Sequence, residues 1–156
     1  MAGESLSYDT CFACYEQYRD EANALETAVS NLKGLLSDLQ SNLDQLKVVK
    51  DSQSGLPQSV QIIKDSITEG EQNFIEGAMY CGQEIGGSEQ FANIGTSVDN
   101  LKNHIDSFTP LLESKISTYE DSISKVNTKI EELNSDISSA WEKANYYRGL
   151  MNSASS

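Results

Sequence analysis

From Cys11 to Leu46 the apolar residues stand at Cys11, Tyr15, Tyr18, Ala22, Leu25, Val29, Leu32, Leu36, Leu39, Leu43 and Leu46, in steps that alternate four and three without exception. A 3.5-residue apolar repeat sustained over several heptads marks a coiled-coil seam, because it keeps one narrow stripe of a slightly underwound helix turned toward a partner. It predicts a helix over about residues 8–52, roughly 65–70 Å long at about 1.5 Å per residue. Gly34 lies inside that helix and weakens it locally, by about 1 kcal/mol relative to Ala. A helix of this length cannot bury its stripe against itself. The chain must supply a second arm or find a partner.

The segment Asp51-Ser-Gln-Ser-Gly-Leu-Pro57 interrupts the pattern. Gly55 suits a helix C-terminus, and Pro57 suits the first turn of the next helix. A shorter helix is predicted over about 57–79, with Val60, Ile63, Ile67, Phe74 and Ala78 as its apolar row once Gly70 is admitted. The pattern leaves open whether this helix reverses on the first or extends it. A third helix is predicted over about 91–151. Its row reads Phe91, Ile94, Val98, Leu101, Ile105, Phe108, Leu112, Ile116, Tyr119, Ile123, Val126, Ile130, Leu133, Ile137, Ala140, Ala144, Tyr147, Met151. Two steps of four meet at Phe108–Leu112–Ile116, a stutter that coincides with Pro110 and predicts local unwinding or a kink. Thr109 is an alternative cap for a fresh helix with Pro110 at its first position.

Between the arms, residues 79–95 read MYCGQEIGGSEQFANIG. Gly82, Gly86 and Gly87 allow positive φ where the chain turns, over about residues 80–90, and Ser88 suits the cap of the helix that follows. Two apolar-striped arms of similar length, joined by such a turn, can fold antiparallel and bury their stripes together. The expected fold is therefore all-α. It is a single domain over residues 1–156, an elongated antiparallel helical hairpin or coiled coil of three main helices with a break in the first arm. Hydrophobic residues make up only 38% of the chain, which fits one stripe per helix rather than a thick interior.

Charge and motifs exclude several functions. With 24 acidic residues against 11 Lys and Arg, the net charge is −13. Such a chain is a poor ligand for nucleic acid or an anionic membrane, and it suits a partner with a basic face. It has no apolar run long enough to span a bilayer. MAGESLSYDT lacks a basic n-region and an apolar core, so synthesis in the cytoplasm without a cleavable signal peptide is expected, and any export would use another route. His104 is the only histidine and lacks ligands at metal-binding spacing. Cys11 and Cys14 form one C-x-x-C inside a predicted helix, with Cys81 the third cysteine. Structural thiols are the expectation, ahead of a disulfide or cross-link. Asp20-Glu21 and Glu131-Glu132 read as solvated helix charge. No phosphate-binding loop or nucleophile elbow is present. Neither an enzyme nor a cofactor is expected.

Aromatic residues concentrate at the ends of the arms: Phe12, Tyr15 and Tyr18 on the first, Trp141, Tyr146 and Tyr147 on the last. In a hairpin the two groups lie at the same end. They either pack on each other or anchor a partner, since buried aromatics dominate interface energies.

Tyr80-x-Gly82 stands at the turn, and Phe91 begins the last helix. With this architecture the chain resembles the WXG-type (ESX-like) small helical proteins of type VII secretion. In size, in its N-terminal coiled-coil extension and in lacking catalytic motifs, it resembles in particular their longer relatives encoded beside LXG toxins in Gram-positive bacteria. Tyr80 stands where that family's motif has tryptophan, and no Y-x-x-x-D/E sequence follows near the C-terminus. The resemblance rests on Tyr80, Gly82 and Phe91, which together with the turn glycines Gly86 and Gly87 make up the expected turn motif. It also implies a non-enzymatic targeting chaperone that binds the helical N-terminal domain of a toxin or effector, in some cases with a second small helical protein. The alternative from the pattern alone is a structural coiled coil that self-associates as a homo-oligomer.

Overall fold

The computed structural model describes residues 7–80 and 88–154. Among them there is no strand. The fold is all-α, with α1 at Tyr8–Gln53, α2 at Leu56–Tyr80 and α3 at Ser88–Ala154. The first arm is broken between α1 and α2, as its sequence predicts. The chain divides into two compact units, residues 1–42 with 119–156, and residues 43–118.

In the first unit, α1 and α3 run antiparallel, because Tyr18 stacks on Tyr147 while Glu26, further along α1, meets Trp141, further back on α3. Ser7 starts α1: its Oγ accepts from the Thr10 backbone N–H at 3.2 Å, and its carbonyl accepts from Cys11 N–H. That satisfies donors which a helix N-terminus otherwise leaves open. The seam expected from the heptads is the seam that forms. Cys11, Ala22 and Val29 on α1 are buried, as are Ile130, Ala140, Ala144 and Met151 on α3. Four of these are Cys or Ala, whose small side chains let the two backbones approach closely.

The second unit pairs the end of α1 and all of α2 with the start of α3. Lys50 Nζ meets Glu113 at 3.0 Å, Lys64 Nζ meets Asp99 at 2.6 Å, and Phe74 packs on Phe91. Residue numbers rise on one side as they fall on the other, so α2 extends the direction of α1 along α3. The interruption is a single tight turn. Ser54 N–H donates to the Asp51 carbonyl, and Ser59 N–H donates to the Gly55 carbonyl. Pro57 is the second residue of α2, where its missing N–H leaves no bond unmade.

Here the packing corrects the sequence reading. The half-buried and buried positions of the first arm within this unit run Leu43, Leu46, Gln53, Pro57, Val60, Lys64, Ile67, Gly70, Glu71, Ile75. On α3 they run Phe91, Gly95, Val98, Lys102, Ile105, Leu112, Ile116, with Asp99 half-buried beside Val98 where it pairs with Lys64, and with the exposed Thr109 in phase. Gly95, Lys102 and Thr109, not Ile94, Leu101 and Phe108, keep the alternation of fours and threes, so the seam passes Pro110 with no stutter. Ile63 and Phe74, expected in the seam of α2, are also exposed, and Lys64 and Ile75 take the inward places. One residue is about 100° of helix rotation, so a row displaced by one position leaves the interface for its flank. Among the described residues, the second unit leaves ten large apolar side chains exposed, Ile63, Phe74, Ile94, Leu101 and Phe108 through this displacement, against four in the first.

Nor does a fresh helix begin at Thr109. α3 is one helix of 67 residues with Pro110 inside it, and Thr109 Oγ1 donates back to the Ile105 carbonyl. Pro110 removes the donor that the Asp106 carbonyl would otherwise use. Residues 106–111 are all exposed, so water can serve that carbonyl instead.

Candidate functional site

The aromatic residues singled out at the arm ends all lie in the first unit, where they divide into two groups. Tyr18 and Tyr147 stack across the helix pair, with ring centroids 5.8 Å apart and planes 10° from parallel. Tyr146 meets Tyr147 edge-on at 5.3 Å. Trp141 is half-buried, and its indole Nε1–H donates to Glu26 Oε1 at 2.9 Å. The Tyr18–Tyr147 stack and the Trp141–Glu26 bond tie α1 to α3, and an aromatic pair of this kind contributes about 0.5–1.5 kcal/mol beyond area burial. Tyr15 is half-buried beneath the Arg19 guanidinium, 5.7 Å from its ring centre.

Phe12 and Tyr146 point outward. Phe12 stacks on Tyr8 at 6.4 Å, and both are exposed, as is Tyr146. Three aromatic surfaces of this unit are thus left open, while Tyr18 and Tyr147 pack on each other. Tyr8 was not singled out from the sequence, although its i,i+4 spacing to Phe12 was a signal for this contact. The two cations here, Arg19 and Lys143, were also missed. Lys143 Nζ lies 5.1 Å from the Tyr18 ring centre, a contact that only the pairing of α1 with α3 creates.

The Tyr147 hydroxyl is held above the ordinary tyrosine range. Charge on the neighbouring Cys14 is the largest cause, followed by partial loss of solvent, and both disfavour the phenolate. Cys11 is fully buried and Cys14 half-buried, both as free thiols. Among the described residues no group of three or more His, Cys, Asp or Glu is placed to hold a metal ion. No helix among them is long and apolar enough to cross a membrane.

Of the turn motif, Gly82, Gly86 and Gly87 lie outside the described residues, as does Cys81. Tyr80 is the last residue of α2. Phe91 is half-buried in the second unit, 5.7 Å from the Phe74 ring, and its edge lies 3.8 Å from where a Cβ on Gly70 would stand. Phe91 therefore acts as a packing residue between α2 and α3.

Comparison of the chain with protein-family models, with curated proteins and with solved structures returns no match.

Proposed function

We propose that this chain is a non-enzymatic binding partner that targets the helical N-terminal domain of a secreted LXG-type toxin to a type VII secretion machine. One observation carries the reading. Helices that run antiparallel in both units leave many large apolar side chains open, above all in the second unit. Such a surface is suited to adding further helices. The resemblance of Tyr80-x-Gly82 and Phe91 to the WXG-type turn supplies the class of partner. The net charge of −13 favours encounter with a basic partner and opposes self-association.

The test is size-exclusion chromatography with light scattering. The purified chain is measured alone, then mixed with the products of its neighbouring genes. A one-to-one complex with the helical N-terminus of a large neighbour, with a raised melting temperature, is the expected result. A stable homo-oligomer that ignores every neighbour would refute the proposal and leave a self-associating structural coiled coil.

A further inference from the structure

The displaced apolar row of the second unit has a definite geometry. Lys50–Glu113 and Lys64–Asp99 fix the register of this helix pair. To within one residue, that register sets Leu56 level with Phe108, Ile63 with Leu101, and Gly70 with Ile94. Leu56, Ile63 and Gly70 are spaced by seven, as are Ile94, Leu101 and Phe108, so each set forms a straight stripe on its helix. Each stripe stands one residue before the seam positions. In an antiparallel pair that displacement carries both stripes to the same side of the interface. At their Leu56–Phe108 end a groove of about 270 Å³ lies between them, lined by Gln53, Leu56, His104, Ile105 and Phe108. Beyond that end the apolar residues are open to a degree unusual for a core: Ile63 is 48% exposed, Leu101 49% and Leu111, one residue before the buried Leu112, 68%.

Two converging stripes above a seam are the complement of one helix. In a three-helix arrangement each helix turns an apolar arc toward two neighbours, wider than a two-stranded a/d seam needs. The stripes run from Leu56 to Phe74 and from Leu111 to Ile94, a length of about 27 Å, or a helix of about 18–20 residues.

Charge identifies the occupant. Between Lys64 and Lys102 the sequence has no Lys, Arg or His, while Asp65, Glu69, Glu71, Glu76, Glu84, Glu89 and Asp99 fall in that interval. On α2, Asp65, Glu69 and Glu76 stand about 120–160° around the helix from Ile63. The outer margins of the groove carry Ser59, Ser66, Ser97, Asn100 and His104, all exposed. Between the stripes the floor is mixed, with Val98 and Ile105 beside the inward Lys64 and Lys102; each lysine is paired with a carboxylate, Asp99 and Asp106, so neither leaves a net charge there, and the margins carry no carboxylate, within an acidic surrounding field. A second copy would bring a second charge of −13. A helix with lysines or arginines beside its apolar stripe meets the opposite field, and its long side-chain stems can lie over the Ser and Asn margins.

We infer that the second unit is a docking groove for a third helix: a single amphipathic, net-basic helix supplied by another protein and seated along Leu56, Ile63, Leu101, Phe108 and Leu111. This site is separate from the aromatic cluster and does not depend on the partner being a toxin.

The test uses the full chain and a fluorescein-labelled synthetic peptide of three heptads, with Leu and Ile on one stripe and Lys elsewhere. A second peptide replaces every Lys with Glu. Fluorescence anisotropy should give saturable binding of the lysine peptide, and binding of the glutamate peptide weaker by roughly tenfold or more. Ile63→Glu and Leu101→Glu should each weaken the lysine peptide by a similar factor. Ile62→Glu, next in sequence but on the far side of α2, should leave it unchanged. Circular dichroism establishes that each variant retains its helices. Equal binding of both peptides, no saturable binding, or indifference to Ile63 and Leu101 would overturn the inference. So would a dimer mass by light scattering that falls to one chain in Leu101→Glu, because the groove would then belong to a second copy. The peptides contain no toxin sequence, so this result and the co-purification with neighbouring gene products can fail independently.

Discussion

The displacement of the apolar row in α3 can be measured with two identical substitutions in one helix. Leu112 is 6% exposed and Leu101 is 49% exposed, both in the second unit. Leucine to alanine removes the same atoms at each site and brings the same small gain in helix propensity, so those terms cancel. At Leu112 the lost contacts and the residual cavity should cost about 2–5 kcal/mol. At Leu101 half of the side chain already faces water and a cavity there opens to solvent. The loss falls to the transfer of part of the side chain, about 1 kcal/mol. Urea denaturation followed by circular dichroism at 222 nm gives both values, with unchanged m-values as the check that the comparison is fair. If Leu101→Ala costs as much as Leu112→Ala, then Ile94, Leu101 and Phe108 are the seam after all. The groove would then not exist.

Three further outcomes are expected. Pro110→Ala restores a backbone donor in an exposed stretch of α3 and should stabilise the chain, by up to about 3 kcal/mol; no gain in a melting experiment would mean that α3 needs the proline. Cys14→Ser should lower the alkaline titration of Tyr147, followed by tyrosinate absorbance at 295 nm, and an unchanged titration would separate the two residues. Because the folded state holds this hydroxyl above its unfolded value of 10.0, its contribution to stability is complete below that pH and is lost as the pH rises through the folded value. Glu26→Ala removes the acceptor of the Trp141 indole and should cost about 0.5–1.5 kcal/mol; emission from the single tryptophan should shift to the red, and a shift with no loss of stability would make the bond incidental.

The first unit was legible from sequence because each of its seam positions is occupied by an apolar or small residue, from Cys11 to Leu39 and from Tyr119 to Met151. Pattern and burial then carry the same information. In the second unit they part. Reading apolar residues as inward chose Ile94, Leu101 and Phe108, and needed a stutter to rejoin Leu112. The packing instead turns Gly95 and Lys102 inward and keeps strict phase. Nothing local distinguishes a stripe meant for the second helix from one meant for a third. The aromatic cluster was legible as a location, since both groups lie in one unit, but not in its details. That Trp141 donates to Glu26, or that Lys143 covers Tyr18, depends on a register set by every heptad between them.

The turn at Ser54–Gly55 breaks α1 from α2, yet from Lys50 to Lys64 is fourteen residues, and so is Asp99 to Glu113. The interruption thus works as a whole number of heptads, and α2 emerges in the same rotational phase that α1 left. This makes the chain tolerant there in one currency and intolerant in another. Seven added residues would lengthen the arm and return every side chain to its side. One added or deleted residue would turn the whole of α2 by about 100°, as a frameshift alters every codon downstream. Leu56 and Ile63 would then be rotated out of the groove with no change to any residue within α2.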